Sequence, residues 1–104
     1  MGGDIRRKQV WLEKIKKERD PTEDHRMGLI ALQNKIRREI MKFIGSKKSV
    51  EEIKERFNLT DAQAKMHLGL LERALFVEGI EENERRCYVL TPKGEAYLEN
   101  VELR

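Results

Sequence analysis

A chain of 104 residues has room for one domain with a single modest core and, at most, a terminal appendage. Charged residues make up 39% and aromatic residues 6%, while apolar residues recur periodically, which points to a helical globular chain and excludes a disordered one. Residues 1–48 carry 14 Lys/Arg against 7 Asp/Glu, a balance of +7, and residues 49–104 carry 8 against 12, a balance of −4, so the basic character is N-terminal.

No run approaches the roughly 18 uninterrupted apolar residues that span a bilayer, and the N-terminus lacks the apolar centre of a signal peptide, so no membrane partner and a cytoplasmic location are expected. A lone cysteine, Cys87, excludes an internal disulfide, and with only His25 and His67 beside it no spacing suggests zinc, so neither a structural metal nor a cofactor is expected. Abundant Lys, Arg and Glu with few Asn and Gln resemble thermophile composition.

From Ile5 to Arg19 there is no helix breaker, and Ile5, Leu12 and Ile15 fall near one helical face with Trp11 at its edge, which predicts an amphipathic helix. Asp20-Pro21-Thr22-Glu23 ends it and starts a second helix to about Leu32, because Asp caps, Pro suits the first helical position and acids suit the first turn. Gln33-Asn34 is compatible with a break or with a bend. Ile36, Ile40, Phe43 and Ile44 recur at helical spacing from the capping Asn34 to Gly45, which is expected to end this helix in a left-handed conformation.

Ser49-Val50-Glu51-Glu52 matches a capping box and opens a short helix, with Ile53 and Phe57 inward, to near Asn58. Thr60-Asp61-Ala62-Gln63 repeats that chemistry, and Ala64, Leu68, Leu71 and Leu75 stack along one side of a longer helix. Two helices joined by so short a turn read as helix-turn-helix. After Phe76 the pattern changes to strand-like: Val77 and Ile80, a polar Glu81–Glu84 stretch, then Cys87, Tyr88, Val89 and Leu90, a hairpin whose loop is a candidate wing. Adjacent strand positions face opposite ways, so at least one of Cys87 and Tyr88 is expected in the core. Thr91-Pro92 starts a last helix carrying Ala96, Tyr97 and Val101.

Ala31-Leu32 with Arg37-Arg38-Glu39-Ile40, then Leu59-Thr60, His67-Leu68, Leu71-Glu72-Arg73-Ala74 and Val77-Glu78, resemble the ArsR-type winged-helix regulators. Tyr88-Val89-Leu90-Thr91-Pro92-Lys93-Gly94 resembles a strand-to-helix junction found across winged-helix repressors, and the likeness covers about residues 31–101. The resemblance implies a homodimer whose second motif helix, about residues 60–75, enters the major groove of double-stranded DNA while the hairpin wing, about 77–91, touches the backbone or the adjacent minor groove. Two departures stand out. The family's metal-sensing cysteines are missing, with Ala62, Ala64 and Met66 in that region, and Leu75-Phe76 replaces a Gly-Leu pair.

With Ala64, Leu68 and Leu71 inward, Ala62, Met66, Gly69 and Arg73 face outward and Gln63 and Lys65 flank them. Gln63, Lys65 and Arg73 are the candidate base readers, with Met66 offering apolar contact to a thymine methyl and Thr60 at the helix start. Asp61 is read as helix N-terminal stabilisation. In the wing Glu81, Glu82 and Glu84 repel phosphates, whereas Arg85 and Arg86 are candidate phosphate contacts. Arg6, Arg7, Lys8, Lys14, Lys16, Lys17 and Arg19 suit either flanking DNA or the wet face of a helix whose apolar side, Ile5, Trp11, Leu12 and Ile15, packs on a partner subunit, and the two roles are compatible. His67, at the edge of the core face, is read as a hydrogen-bonded structural residue.

The expected architecture is mainly α with a small β-hairpin: an N-terminal helical extension over residues 1–20 and a winged helix-turn-helix domain over 21–104. The expected function is a homodimeric DNA-binding transcription regulator, not an enzyme, because no nucleophile with a paired base, phosphate-cradling Gly-rich loop or metal constellation is found, and no small-molecule effector is expected. The alternative is a winged-helix module for protein–protein contacts in a transcription or replication assembly.

Overall fold

The computed structural model describes residues 20–102 together with Gln9, Val10, Trp11 and Glu13. At those four the backbone is helical, as the N-terminal pattern predicts; Ile5, Leu12 and Ile15 and the basic residues Arg6, Arg7, Lys8, Lys14, Lys16, Lys17 and Arg19 lie outside the described residues.

Helix α1 runs Pro21–Leu32, with Asp20 Oδ1 accepting from the Thr22 N–H at 3.2 Å and Pro in the first turn. The chain then breaks rather than bends: Asn34 is extended and its Oδ1 accepts from the Ile36 N–H at 2.8 Å, starting α2, Lys35–Phe43. Two expectations for α2 need correction. Ile36 is exposed, because Ile40, Met41 and Ile44 set the inward face and its continuation one turn back is Arg37, at i−3, i−4 and i−7 from them. Gly45 does not take a left-handed conformation; Ile44 is the C-cap, at φ −87°, and no glycine among the described residues has a positive φ.

Strand β1, Lys48–Ser49, precedes α3, Val50–Phe57, and the Ser49–Glu52 capping box forms with both bonds at 3.0–3.1 Å. The helix ends on left-handed Asn58 at φ 53°, and α4, Asp61–Arg73, begins behind a second capping box between Thr60 and Gln63. Strands β2, Val77–Glu82, and β3, Arg85–Leu90, form the hairpin, and α5, Pro92–Glu102, follows. The hairpin is one side of a three-stranded antiparallel sheet in the order β1-β3-β2, with Lys48 opposite Tyr88 and Ser49 opposite Cys87. A two-residue strand leaves no alternation to read, which is why the sequence does not announce β1. Cys87 and Tyr88 are both buried, Tyr88 within the main core cluster, although adjacent strand positions face opposite ways.

The core joins Ala31 of α1, Ile40 and Met41 of α2 with Ile44, Ile53 of α3, Leu68 and Leu71 of α4, and Phe76, Val77 and Tyr88. Helix α5 closes it through Tyr97 and Leu98, with the Tyr97 and Phe76 rings 5.8 Å apart, whereas Ala96 and Val101 are exposed. Helix α4 stops at Arg73, short of Leu75: the Phe76 N–H donates to Leu71 O at 3.0 Å and the Leu75 N–H to Glu72 O at 2.9 Å, a Schellman arrangement with Leu75 left-handed at φ 66° where Gly is usual.

The Thr91–Gly94 junction locks onto that turn. The Thr91 hydroxyl donates to Leu75 O and accepts from the Gly94 N–H, and the Thr91 N–H donates to Phe76 O at 3.0 Å. Lys93 Nζ donates to Ala74 O at 2.7 Å and to both Asp24 carboxylate oxygens at 3.0–3.1 Å, and it lies 4.7 Å from the centre of the Phe76 ring. The Thr-Pro-Lys-Gly sequence is thus a structural clamp between α1, the end of α4 and α5.

Candidate nucleic-acid interface

Helix α4 is aimed by what it buries. Ala64, His67, Leu68 and Leu71 face the core, which leaves Ala62, Gln63, Lys65, Met66 and Arg73 exposed and Gly69 half-buried. Met66 is 51% exposed, and a Cβ at Gly69 would have no atom within 4 Å, so the centre of this face is apolar and open. The first turn is already engaged. The Thr60 N–H donates to Gln63 Oε1 at 3.0 Å and the Gln63 N–H to Thr60 Oγ1 at 3.1 Å, so Gln63 keeps only its amide N–H groups, and Thr60 its hydroxyl proton, for another partner. Asp61 is ion-paired with Lys54 of α3 across the helix-turn-helix turn, in keeping with a structural role.

The face is held from behind by Arg37, which sequence reasoning did not single out. Its Nε donates to Ala31 O at 2.8 Å, its Nη2 to Ile30 O at 3.1 Å, and its Nη1 lies 3.2 Å from His67 Nδ1. The guanidinium therefore satisfies carbonyls at the end of α1 and reaches α4, with Arg37 8% and His67 4% exposed. Burial, and secondarily the Arg37 charge, hold the His67 pKa below its ordinary value, so the ring is neutral near pH 7 and, with Arg37 the obligate donor, Nδ1 is the acceptor. The signal was the Arg37-Ile40-Met41-Ile44 spacing, obscured because a guanidinium is not counted as a core residue.

The wing turns at Asn83-Glu84, both left-handed at φ 52° and 64°, between the paired Glu82 and Arg85, a two-residue turn with both central residues at positive φ. Arg85 is exposed at the strand end. Arg86 lies against its own sheet: its guanidinium is 3.3 Å from Glu81, 3.7 Å from Glu72 on α4 and 5.6 Å from the Tyr88 ring, and it occupies the space a Cβ on Gly79 would need. Hydrogen bonds to Tyr88 and then Glu81 raise its pKa further. Lys47 is ion-paired with Glu82, and that bond raises the Lys47 pKa. The predicted reader positions Lys65, Met66 and Arg73 thus share one exposed face, while Thr60 and Gln63 serve the cap and Arg86 braces the hairpin. Of the predicted dimer residues only Trp11 is described, and it is half-buried.

At the level of sequence the chain matches no protein-family model and no curated protein. Its three-dimensional likenesses are clear. HlyU from Vibrio cholerae is 22% identical, with 80% of this chain and 96% of that one covered and a TM-score of 0.63. The homodimeric winged helix-turn-helix DNA-binding domain Mb0332 from Mycobacterium bovis, a possible ArsR-family transcriptional regulator, is 22% identical over 79% of this chain and 77% of that one, with a TM-score of 0.69. The transcriptional repressor BigR from Xylella fastidiosa is 21% identical over 86% of each chain, with a TM-score of 0.63. The chain has the winged helix-turn-helix fold, and structurally it resembles proteins of the ArsR type. Among the described residues no helix is long and apolar enough to cross a membrane, and no cluster of three or more His, Cys, Asp or Glu is placed to hold a metal ion.

Proposed function

We propose that this protein is a homodimeric, cytoplasmic, DNA-binding transcription regulator of the ArsR type, with no enzymatic activity and no metal or small-molecule effector. Helix α4 lies in the major groove of double-stranded DNA and the β2–β3 wing lies along the backbone. The observation that carries this reading is the outward face of α4, Ala62 to Arg73, presented by a two-helix unit with a hairpin beside it, in a fold shared with a DNA-binding domain and a transcriptional repressor. Lys65 and Arg73 are the principal contacts of α4, with the Gln63 amide and the Thr60 hydroxyl secondary to their capping duty. Arg85 is the chief wing contact, and Arg86 contributes once it leaves Glu81 and Glu72. Residues 1–20 form the helical extension, whose Ile5, Trp11, Leu12 and Ile15 pack on the partner subunit, and 21–104 form the domain proper.

The test is binding of a fluorescent duplex from the protein's own upstream region by the full chain and by a Lys65→Ala, Arg73→Ala double variant. A loss of about 1–3 kcal/mol for each good base contact is expected. Equal affinity in the variant would remove α4 as the reader.

One observation favours a second reading, a protein–protein module. Helix α4 with the hairpin carries Lys65, Arg73, Arg85 and Arg86 against Asp61, Glu72, Glu78, Glu81, Glu82 and Glu84, four positive groups to six negative, around the exposed Met66. Under that reading the full chain binds no duplex even at low salt.

A further inference from the structure

We infer that α4 reads the 5-methyl group of pyrimidines, thymine or 5-methylcytosine, in the major groove, with Ala62 and Met66 as the residues that receive it. This rests on the DNA-binding reading above and adds to it what the helix recognises. The acceptors of the helix start are engaged elsewhere: Gln63 Oε1 and Thr60 Oγ1 close the capping box and Asp61 is paired with Lys54, which leaves the Gln63 amide N–H groups and the Thr60 hydroxyl proton at its edge. What remains along the middle of the exposed face is the stripe Ala62, Met66, Gly69, at i, i+4 and i+7, with Lys65 at its flank and Arg73 one turn beyond its end.

The pyrimidine methyl is the one apolar feature that a base pair shows in the major groove, so an apolar stripe there discriminates by methyl burial rather than by a hydrogen-bond pattern. The unbranched thioether of Met66 adapts to such a surface, and the open space over Gly69 lets the groove edge come close to the backbone. Ala62 and Met66 are four positions apart, about 6 Å along the helix at about 1.5 Å each, which is close to two base steps of about 3.4 Å, so they address different base pairs. Lys65 at the flank and Arg73 beyond the end then supply the polar base contacts on either side of that stripe.

The test uses the full chain and duplexes that it enriches from a random library. Each enriched duplex is remade with deoxyuridine for one thymidine at a time, which removes a single methyl. The expected result is about a fourfold loss of affinity at one or two positions, the factor given by burial of one methylene-sized group. At a sensitive position, cytosine should bind weakly; 5-methylcytosine restoring binding assigns the methyl group itself, and no restoration assigns thymine alone. Met66→Ala, at an exposed position and checked by its melting curve, should abolish deoxyuridine sensitivity at one of those positions. Enriched duplexes indifferent to deoxyuridine everywhere, or an unchanged sensitivity profile in Met66→Ala, would overturn the inference while leaving DNA binding intact. Failure of the chain to enrich any duplex would overturn both readings, and that outcome is distinct from the others.

Discussion

Arg37 and His67 meet inside the protein as a charged donor and a neutral acceptor, a pairing that survives only while the imidazole stays unprotonated. The folded-state pKa of His67 lies below its ordinary value, whereas the unfolded chain titrates near the usual ~6.5. The unfolded state therefore binds the proton first, so this contribution to stability is complete above about pH 6.5 and is lost as the pH falls from there toward the folded pKa. Urea unfolding of the parent chain should show a larger fall in stability between about pH 7.5 and about pH 5.5 than His67→Asn, whose amide oxygen can still accept from Arg37 but does not titrate. Parallel pH profiles would remove His67 as the source. Two further residues test backbone geometry. A Cβ at Gly94 would sit 2.2 Å from Phe76 O, a backbone atom that cannot swing aside, so Gly94→Ala should cost about 2–3 kcal/mol in chemical denaturation. Glu84 is exposed and left-handed at φ 64° in the wing turn, where Gly is preferred, so Glu84→Gly should stabilise by about 0.5–1 kcal/mol and raise the melting temperature by several degrees.

The elements divide into those whose start carries its own chemistry and those fixed by tertiary contact. Asp20, Asn34, Ser49 and Thr60 each use a side-chain oxygen to accept a backbone N–H at a helix start, so the beginnings of α1 to α4 were legible. Less legible was everything decided by neighbours: β1 exists because Lys48 and Ser49 pair with β3, Ile36 is exposed because Arg37 takes the inward position, and Leu98 rather than Ala96 packs at α5. The exposed face of α4 followed from its periodicity, but the engagement of Gln63 with its own cap and of Arg86 with Glu81 and Glu72 depends on side-chain rotamers that periodicity does not encode. The capping role suggests a cleaner probe of α4 than alanine. Gln63→Glu keeps the capping-box acceptor and suits the helix N-terminus, so its stability should match the parent, while its negative charge should weaken duplex binding. Unchanged affinity would place Gln63 away from the phosphates.

For the molecule as a whole the charge is segregated, with 14 of the 22 Lys/Arg in residues 1–48, whereas the winged half is acidic. A helix-turn-helix protein arranged this way would draw much of its phosphate attraction from the N-terminal segment, including Arg6, Arg7 and Lys8, if both subunits direct those segments toward DNA. The same segment carries Ile5, Trp11, Leu12 and Ile15, so removal of residues 1–19 should convert the proposed dimer to a monomer at micromolar concentration in sedimentation; a truncated chain that stays dimeric would move the interface elsewhere. DNA binding is tested most directly by the anisotropy of a fluorescent random duplex titrated with the full chain over a salt series. Binding at low salt is expected, with the logarithm of the binding constant falling linearly with the logarithm of salt concentration, by about 0.9 per neutralised phosphate. No binding at low salt to that duplex, or to one from the protein's own upstream region, would contradict it and leave the exposed face of α4 to a protein partner.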